Sequence, residues 1–222
     1  MNWTKKLLVY EWPDLVMALS VTAGFWLVGE CFGWVLPIWD KTVTRIPSFG
    51  LLTGLIGGAI TMTVCAVSRF GSGFGWLLQF GVTRRRQVVS QLAVQLLHGA
   101  AVVAFALLLG LVSRPLERLW YGGRLELVSL WEKLPLWMVP VLVAVPPLLG
   151  LFAGGVFKRF GRVGGYVLYF SFILLCLSTE NILHGADGLV DSGFGLPLAV
   201  SAAVLLAVMA ALGAHWLMTG DN

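Results

Sequence analysis

Long apolar runs restrict the folds open to this sequence more than any motif does. Several stretches exceed the roughly 18 residues that suggest a membrane-spanning helix. Hydrophobic residues make up 58% of the 222 and charged residues only 12%, and the mean hydropathy is +0.87. The expected fold class is an all-α integral membrane protein. The first run, Leu15 to Ile38, is longer than the about 7–15 residues of a signal-peptide core, and no small-x-small cleavage site follows it, so the amino end is expected to be retained. Cys31, Cys65 and Cys176 are odd in number and fall in three different runs, where buried thiols behave as small hydrophobes.

Apolar runs bounded by charge, Pro and Gly predict six transmembrane helices at about 15–38, 49–68, 88–112, 136–157, 163–180 and 196–217. An even number places both termini on one side. That side carries nine basic residues: Lys5, Lys6, Arg69, Arg84, Arg85, Arg86, Lys158, Arg159 and Arg162. The other carries six, accompanied by Asp40, Glu117, Glu126, Glu132, Glu180, Asp187 and Asp191. The positive-inside bias therefore predicts a multi-pass protein of the cell membrane with both termini in the cytoplasm. The start, "MNWTKKLLVYEWPD", mixes Trp3, Tyr10 and Trp12 with Lys5 and Lys6. It predicts an amphipathic interfacial helix over 1–13 that turns inward at Pro13. Residues 114–135 interleave apolar and charged side chains in the same way and suit an external interfacial helix. With no internal repeat or low-complexity tract, 1–222 reads as a single transmembrane domain.

Chemistry is sparse. Glu30, His98 and His215 are the main ionisable residues within the runs. They form no HExxH motif, no Ser–His spacing and no pair of carboxylates on one face, so no catalytic or metal site is expected. No GxxxxGK[ST] loop is present to cradle nucleotide phosphates. Gln87, Gln91, Gln95 and His98 are spaced by four, four and three residues and line one face of the third predicted span. Polar groups so placed either line a pathway or hydrogen-bond to neighbouring helices. Gly54 with Gly58 and Gly150 with Gly154 form GxxxG pairs that let backbones approach. Pro140, Pro146 and Pro147 are expected to kink or interrupt the fourth span. The fifth has only Tyr166 to Thr179 uninterrupted, so the stretch after it is expected to dip back into the outer leaflet.

The loop between spans 2 and 3 reads "RFGSGFGWLLQFGVTRRRQVVSQ". Gly71, Gly73 and Gly75 favour a turn, and about eight residues from Phe74 to Gly81 suffice for a two-turn surface helix. This loop resembles the small six-span permease subunits of bacterial ABC exporters, which carry a phrase of the form F-x-x-x-L-x-x-G-V-[ST]-R-[RK] here. Phe74, Leu78, Gly81, Val82, Thr83, Arg84 and Arg85 fit it. A second phrase between spans 4 and 5, R-F-G-[KR]-x-G, is matched by Arg159, Phe160, Gly161, Arg162 and Gly164 or Gly165. The resemblance implies a coupling helix that includes Phe74, Trp76, Leu77, Leu78, Phe80, Gly81, Val82 and Thr83, followed by Arg84 and Arg85. Such a helix would sit in a cleft of a separate cytoplasmic ABC ATPase that binds ATP and magnesium. This chain would then bind no cofactor, act as a non-catalytic subunit, and pair with a second permease, identical or sibling. Its other partner is the lipid bilayer, and no nucleic acid is expected. The resemblance also implies a re-entrant outer segment between spans 5 and 6. The competing readings are an intramembrane enzyme built around Glu30, His98 or His215, and a non-transporting scaffold or immunity protein.

Overall fold

The computed structural model describes residues 3–39, 45–78, 81–121, 126–128, 138–191 and 195–219. In chain order these are α1 (Trp3–Trp39), β1 (Arg45–Pro47), α2 (Phe49–Phe70), α3 (Phe74–Leu78), α4 (Arg84–Tyr121), β2 (Glu126–Val128), α5 (Met138–Asp191) and α6 (Gly195–Thr219). β1 and β2 pair in parallel, with Ile46 opposite Leu127. Everything else described is helix or short connection. Among the described residues five helices are long and apolar enough to cross a membrane, at Val9–Leu36, Phe49–Phe70, Arg84–Ser113, Met138–Leu174 and Val200–Thr219. The chain has the architecture of a multi-pass helical membrane protein.

Four local expectations meet a different outcome. α1 is unbroken through Pro13, so residues 3–13 are its opening turns and not a separate interfacial helix. A proline removes one backbone donor from a helix, and the flanking turns keep theirs. Pro146 and Pro147 likewise lie inside α5 without ending it. Its break comes at Gly161, with φ 57° and ψ −137°, a conformation open to a residue without Cβ. The bend there is sharp. A Cβ on Gly164 would lie 2.8 Å from the Val156 carbonyl oxygen, whereas residues eight apart in a straight helix are separated by about 12 Å of rise. The segments predicted as the fourth and fifth spans fall within one helical element, α5, before and after Gly161, and the second arm continues as helix to Asp191. Of the predicted external segment, 114–121 continue α4 and 126–128 form β2, while 122–125 and 129–135 lie outside the described residues.

Two compact units divide the chain, one of residues 1–65 and 93–147, the other of 66–92 and 148–222. In the first, Ala18 of α1, Met62 of α2 and Val102 of α4 form a buried cluster, with Leu15 and Leu19 against it. The Gly54–Gly58 pair serves close approach as expected: a Cβ on Gly58 would meet Val102 at 2.7 Å and Thr22 Oγ1 at 2.8 Å. Thr53 Oγ1 donates to the Phe25 carbonyl at 2.8 Å and joins α2 to α1.

In the second unit, Ala66, Phe70, Phe74, Val88, Leu151, Ala210 and Leu217 form the buried core. A Cβ on Gly150 would lie 2.2 Å from Ala66 Cβ, and one on Gly154 would lie 2.3 Å from Phe70 Cβ, so the second GxxxG pair seats α5 on the end of α2. α6 approaches as tightly, for a Cβ on Gly213 would lie 2.6 Å from the Leu151 carbonyl oxygen. Gly213→Ala is therefore expected to cost about 1–3 kcal/mol by overpacking. Gly24→Ala, at a site with no atom within 4 Å of the added methyl, should leave stability unchanged or slightly raised. Thermal unfolding in detergent checks this, and equal melting temperatures for the two variants would contradict the packing assigned to Gly213.

Candidate functional site

The segment from the end of α2 to the start of α4 is built by local hydrogen bonds and one buried ring. At the end of α2 the Gly71 amide donates to the Val67 carbonyl at 2.8 Å and the Gly73 amide to that of Ser68 at 3.0 Å. Ser72 Oγ donates to the same Ser68 oxygen at 3.1 Å. A Cβ on Gly71 would lie 2.8 Å from the Val67 oxygen, so this turn requires glycine. α3 follows, a helix of five residues.

Phe74, its first residue, is buried to 1% exposure among Phe70, Val88, Leu151 and Leu217. Gln87, from the first turn of α4, donates its Nε2 to the Phe74 carbonyl at 2.8 Å. Gly81 ends the segment with φ 74°, donating its amide to the Leu78 carbonyl at 3.1 Å, and the Gln87 amide bonds the Thr83 carbonyl at 3.0 Å as α4 begins. Lys158 of α5 caps the site from another direction. Its Nζ stands 4.8 Å above the Phe74 ring centroid, within the range of a cation–π contact, and donates to the Leu217 carbonyl at 3.4 Å.

The residues predicted to couple thus divide by direction. Phe74 is an internal peg and Leu78 packs partly against the same core. Gly81, Thr83 and Arg85 are exposed, while Val82 and Arg84 are half-buried. Trp76 and Leu77 lie in α3, and Phe80 lies outside the described residues. Beside Phe74 is a groove of about 600 Å³, whose lining includes Gly71, Gly75, Phe157, Lys158 and Arg162.

All four polar residues of the predicted pathway are buried on α4: Gln87, Gln91, Gln95 and His98, none more than 3% exposed. Gln87 is engaged as above. Gln95, in the other unit, donates its Nε2 to Glu11 Oε2 at 3.1 Å, with both residues fully buried. At these two positions the structure supplies interhelical partners, the second of the two readings left open by the spacing. Sequence reasoning did not single out Glu11. The only signal was a lone acid between Tyr10 and Trp12 at the head of an apolar run.

Of the ionisable residues within the runs, Glu30 is buried in the first unit and accepts a 2.5 Å hydrogen bond from Ser113 Oγ. Ser113 in turn accepts from Trp26 Nε1 at 2.8 Å. His98 is buried and His215 is exposed on α6. Among the described residues no three His, Cys, Asp or Glu side chains cluster as a metal-binding group would. Family models, curated proteins and solved structures searched with this chain give no match.

Gln87→Leu leaves the Phe74 carbonyl without its side-chain donor in a buried setting, which should cost about 1–3 kcal/mol. Hydrogen exchange in detergent should then accelerate across 71–83 more than across α2. Uniform acceleration would show that Gln87 acts on the whole unit and not on this segment. Ser113→Ala strips one donor from Glu30 and the acceptor from Trp26. It is expected to lower the melting temperature, with Trp26→Phe in the same background adding less than it does alone.

Proposed function

We propose that this chain is the membrane-spanning permease subunit of an ATP-driven exporter, with residues 74–85 as the segment that receives the stroke of a separate cytoplasmic ATPase. The observation that carries the reading is the seating of α3. Phe74 is buried in the same core as the end of α2, the start of α4 and parts of α5 and α6, and Gln87 ties its carbonyl to α4. A force on the exposed residues after α3 would therefore move helix ends together instead of bending a loose loop. Conformational change through a rigid element of this kind needs such a joint, because packed cores respond as units.

In this reading the chain crosses the membrane six times. The arms of α5 on either side of Gly161 count as two crossings, since the 54 residues of α5 would extend about 80 Å as one straight helix, against a hydrocarbon core of about 30 Å. Both termini then share the side of the arginines, which the positive-inside bias assigns to the cytoplasm. ATP and magnesium belong to the ATPase, and a second permease copy or sibling completes the transporter. The exposure of Arg85 and Arg86 supports a contact with the motor's surface or the bilayer.

Affinity purification of the tagged chain in mild detergent tests the proposal. A P-loop ATPase should co-purify, and Gly81→Asp should abolish stimulation of its hydrolysis while the chain still inserts in the membrane. Normal stimulation with Gly81→Asp, or no ATPase under conditions that preserve the fold, would refute the coupling assignment.

A further inference from the structure

The groove beside Phe74 has a composition of its own. Its about 600 Å³ falls in the range of ligand pockets, roughly 300–1,000 Å³. Its lining is mostly apolar, with Val67, Phe74, Phe157 and three glycines, and also includes Lys158, Arg162, Ser68 and Ser72. The two glycines Gly75 and Gly161 have no atom within 4 Å of where a Cβ would stand, so the space over them is open. Neither 66–92 nor 148–165, the two stretches that contribute every lining residue, contains an Asp or Glu, yet together they hold Arg69, Arg84, Arg85, Arg86, Lys158, Arg159 and Arg162.

Its position on the chain matters as much. The lining comes from the end of the apolar helix Phe49–Phe70 and from the bend in α5, which in the six-crossing reading proposed above both fall where hydrocarbon gives way to head groups. Phe157, which lines the groove, and Phe160, Val163 and Tyr166, which flank the bend, are all exposed apolar side chains of the same unit. An occupant suited to these side chains carries an anionic head for the basic groups and a hydrocarbon tail for the apolar ones.

We infer that the groove is a binding site for an anionic phospholipid of the leaflet at the arginine-rich end of the bundle. The phosphate would sit between Lys158, Arg162 and the Ser68 and Ser72 hydroxyls, and one acyl chain would lie along Phe157 and Phe160. Lys158 is suited to this because only one of its three ammonium donors is directed at the Leu217 carbonyl, and its stem already lies against apolar surface. Basic pockets between helix ends recognise lipid head groups by the same pairing of charge with depth. Because Lys158 also caps Phe74, a bound lipid would brace α3 from outside. The site stands whether or not an ATPase docks on the neighbouring residues.

The test uses the purified full chain, delipidated in mild detergent, with phosphatidylglycerol or phosphatidylcholine added back. Phosphatidylglycerol should raise the melting temperature by several degrees, and native mass spectrometry should show one such lipid retained; phosphatidylcholine should do neither. Arg162→Gln should weaken the effect. Gly75→Leu, which fills the groove from a position with room for it, should abolish it while all charges remain, and Arg85→Gln with Arg86→Gln, outside the groove, should preserve it. Equal shifts from both lipids would overturn the proposal, as would a phosphatidylglycerol shift that survives Gly75→Leu or disappears with Arg85 and Arg86. A Gly75→Cys thiol shielded by a co-purified protein but not by phosphatidylglycerol would assign the groove to a protein partner and overturn it as well.

Discussion

Close approach of backbones at glycine is the constraint on which the rest of this structure depends. In a bilayer the surroundings are as apolar as a leucine side chain, so burying hydrophobic surface does not by itself choose one helix neighbour over another. Contact must come from packing that lipid cannot match, and that requires backbones to meet. Gly150 and Gly154 meet α2, Gly213 meets α5, and Gly29 meets the start of α2, each at distances that leave no room for a Cβ. Where these contacts fall decides which side chains the helices can then bury between them.

Polar pairs supply the second layer of specificity. Glu30, Ser113 and Trp26 join the second half of α1 to α4, and Glu11 with Gln95 joins the first half of each of the same two helices. A buried polar group without a partner is costly, so these contacts define a register between α1 and α4 more sharply than leucines would. Gly50 belongs to this arrangement, since a Cβ there would fall within 2.1 Å of Glu30 Oε1. The carboxylate is thus enclosed by a glycine as well as held by a hydroxyl.

The segment between α2 and α4 combines both devices on a small scale. Its entry turn needs glycine at 71 and its exit has positive φ at Gly81, while Phe74 and Gln87 provide a peg and a tie. The outcome is a helix of five residues, far below the length at which a helix is stable alone, that owes its place to tertiary contacts. Its exposed residues and the basic groove beside it lie on the same unit. A partner on one and a lipid in the other would therefore both act on the orientation of α3.

Hydropathy and charge are properties of the chain in one dimension, and they sufficed to determine that this is a helical membrane protein, where most of its apolar helices begin and end, and that a short helix follows the glycines at 71–75. The GxxxG pairs were legible as contact faces for the same reason: a missing side chain is visible in the sequence. What only the tertiary structure decided are the choices that depend on what a residue meets. Pro13, Pro146 and Pro147 stay within helices while Gly161 breaks one, because a proline removes a single donor whereas a backbone with positive φ redirects the chain. Phe74 points into a core instead of outward, and Glu11 finds Gln95 across 84 residues of sequence. Periodicity marked Gln95 as a polar residue on an apolar helix but could not name its partner, since Glu11 looks ordinary until the helices carrying them are packed side by side.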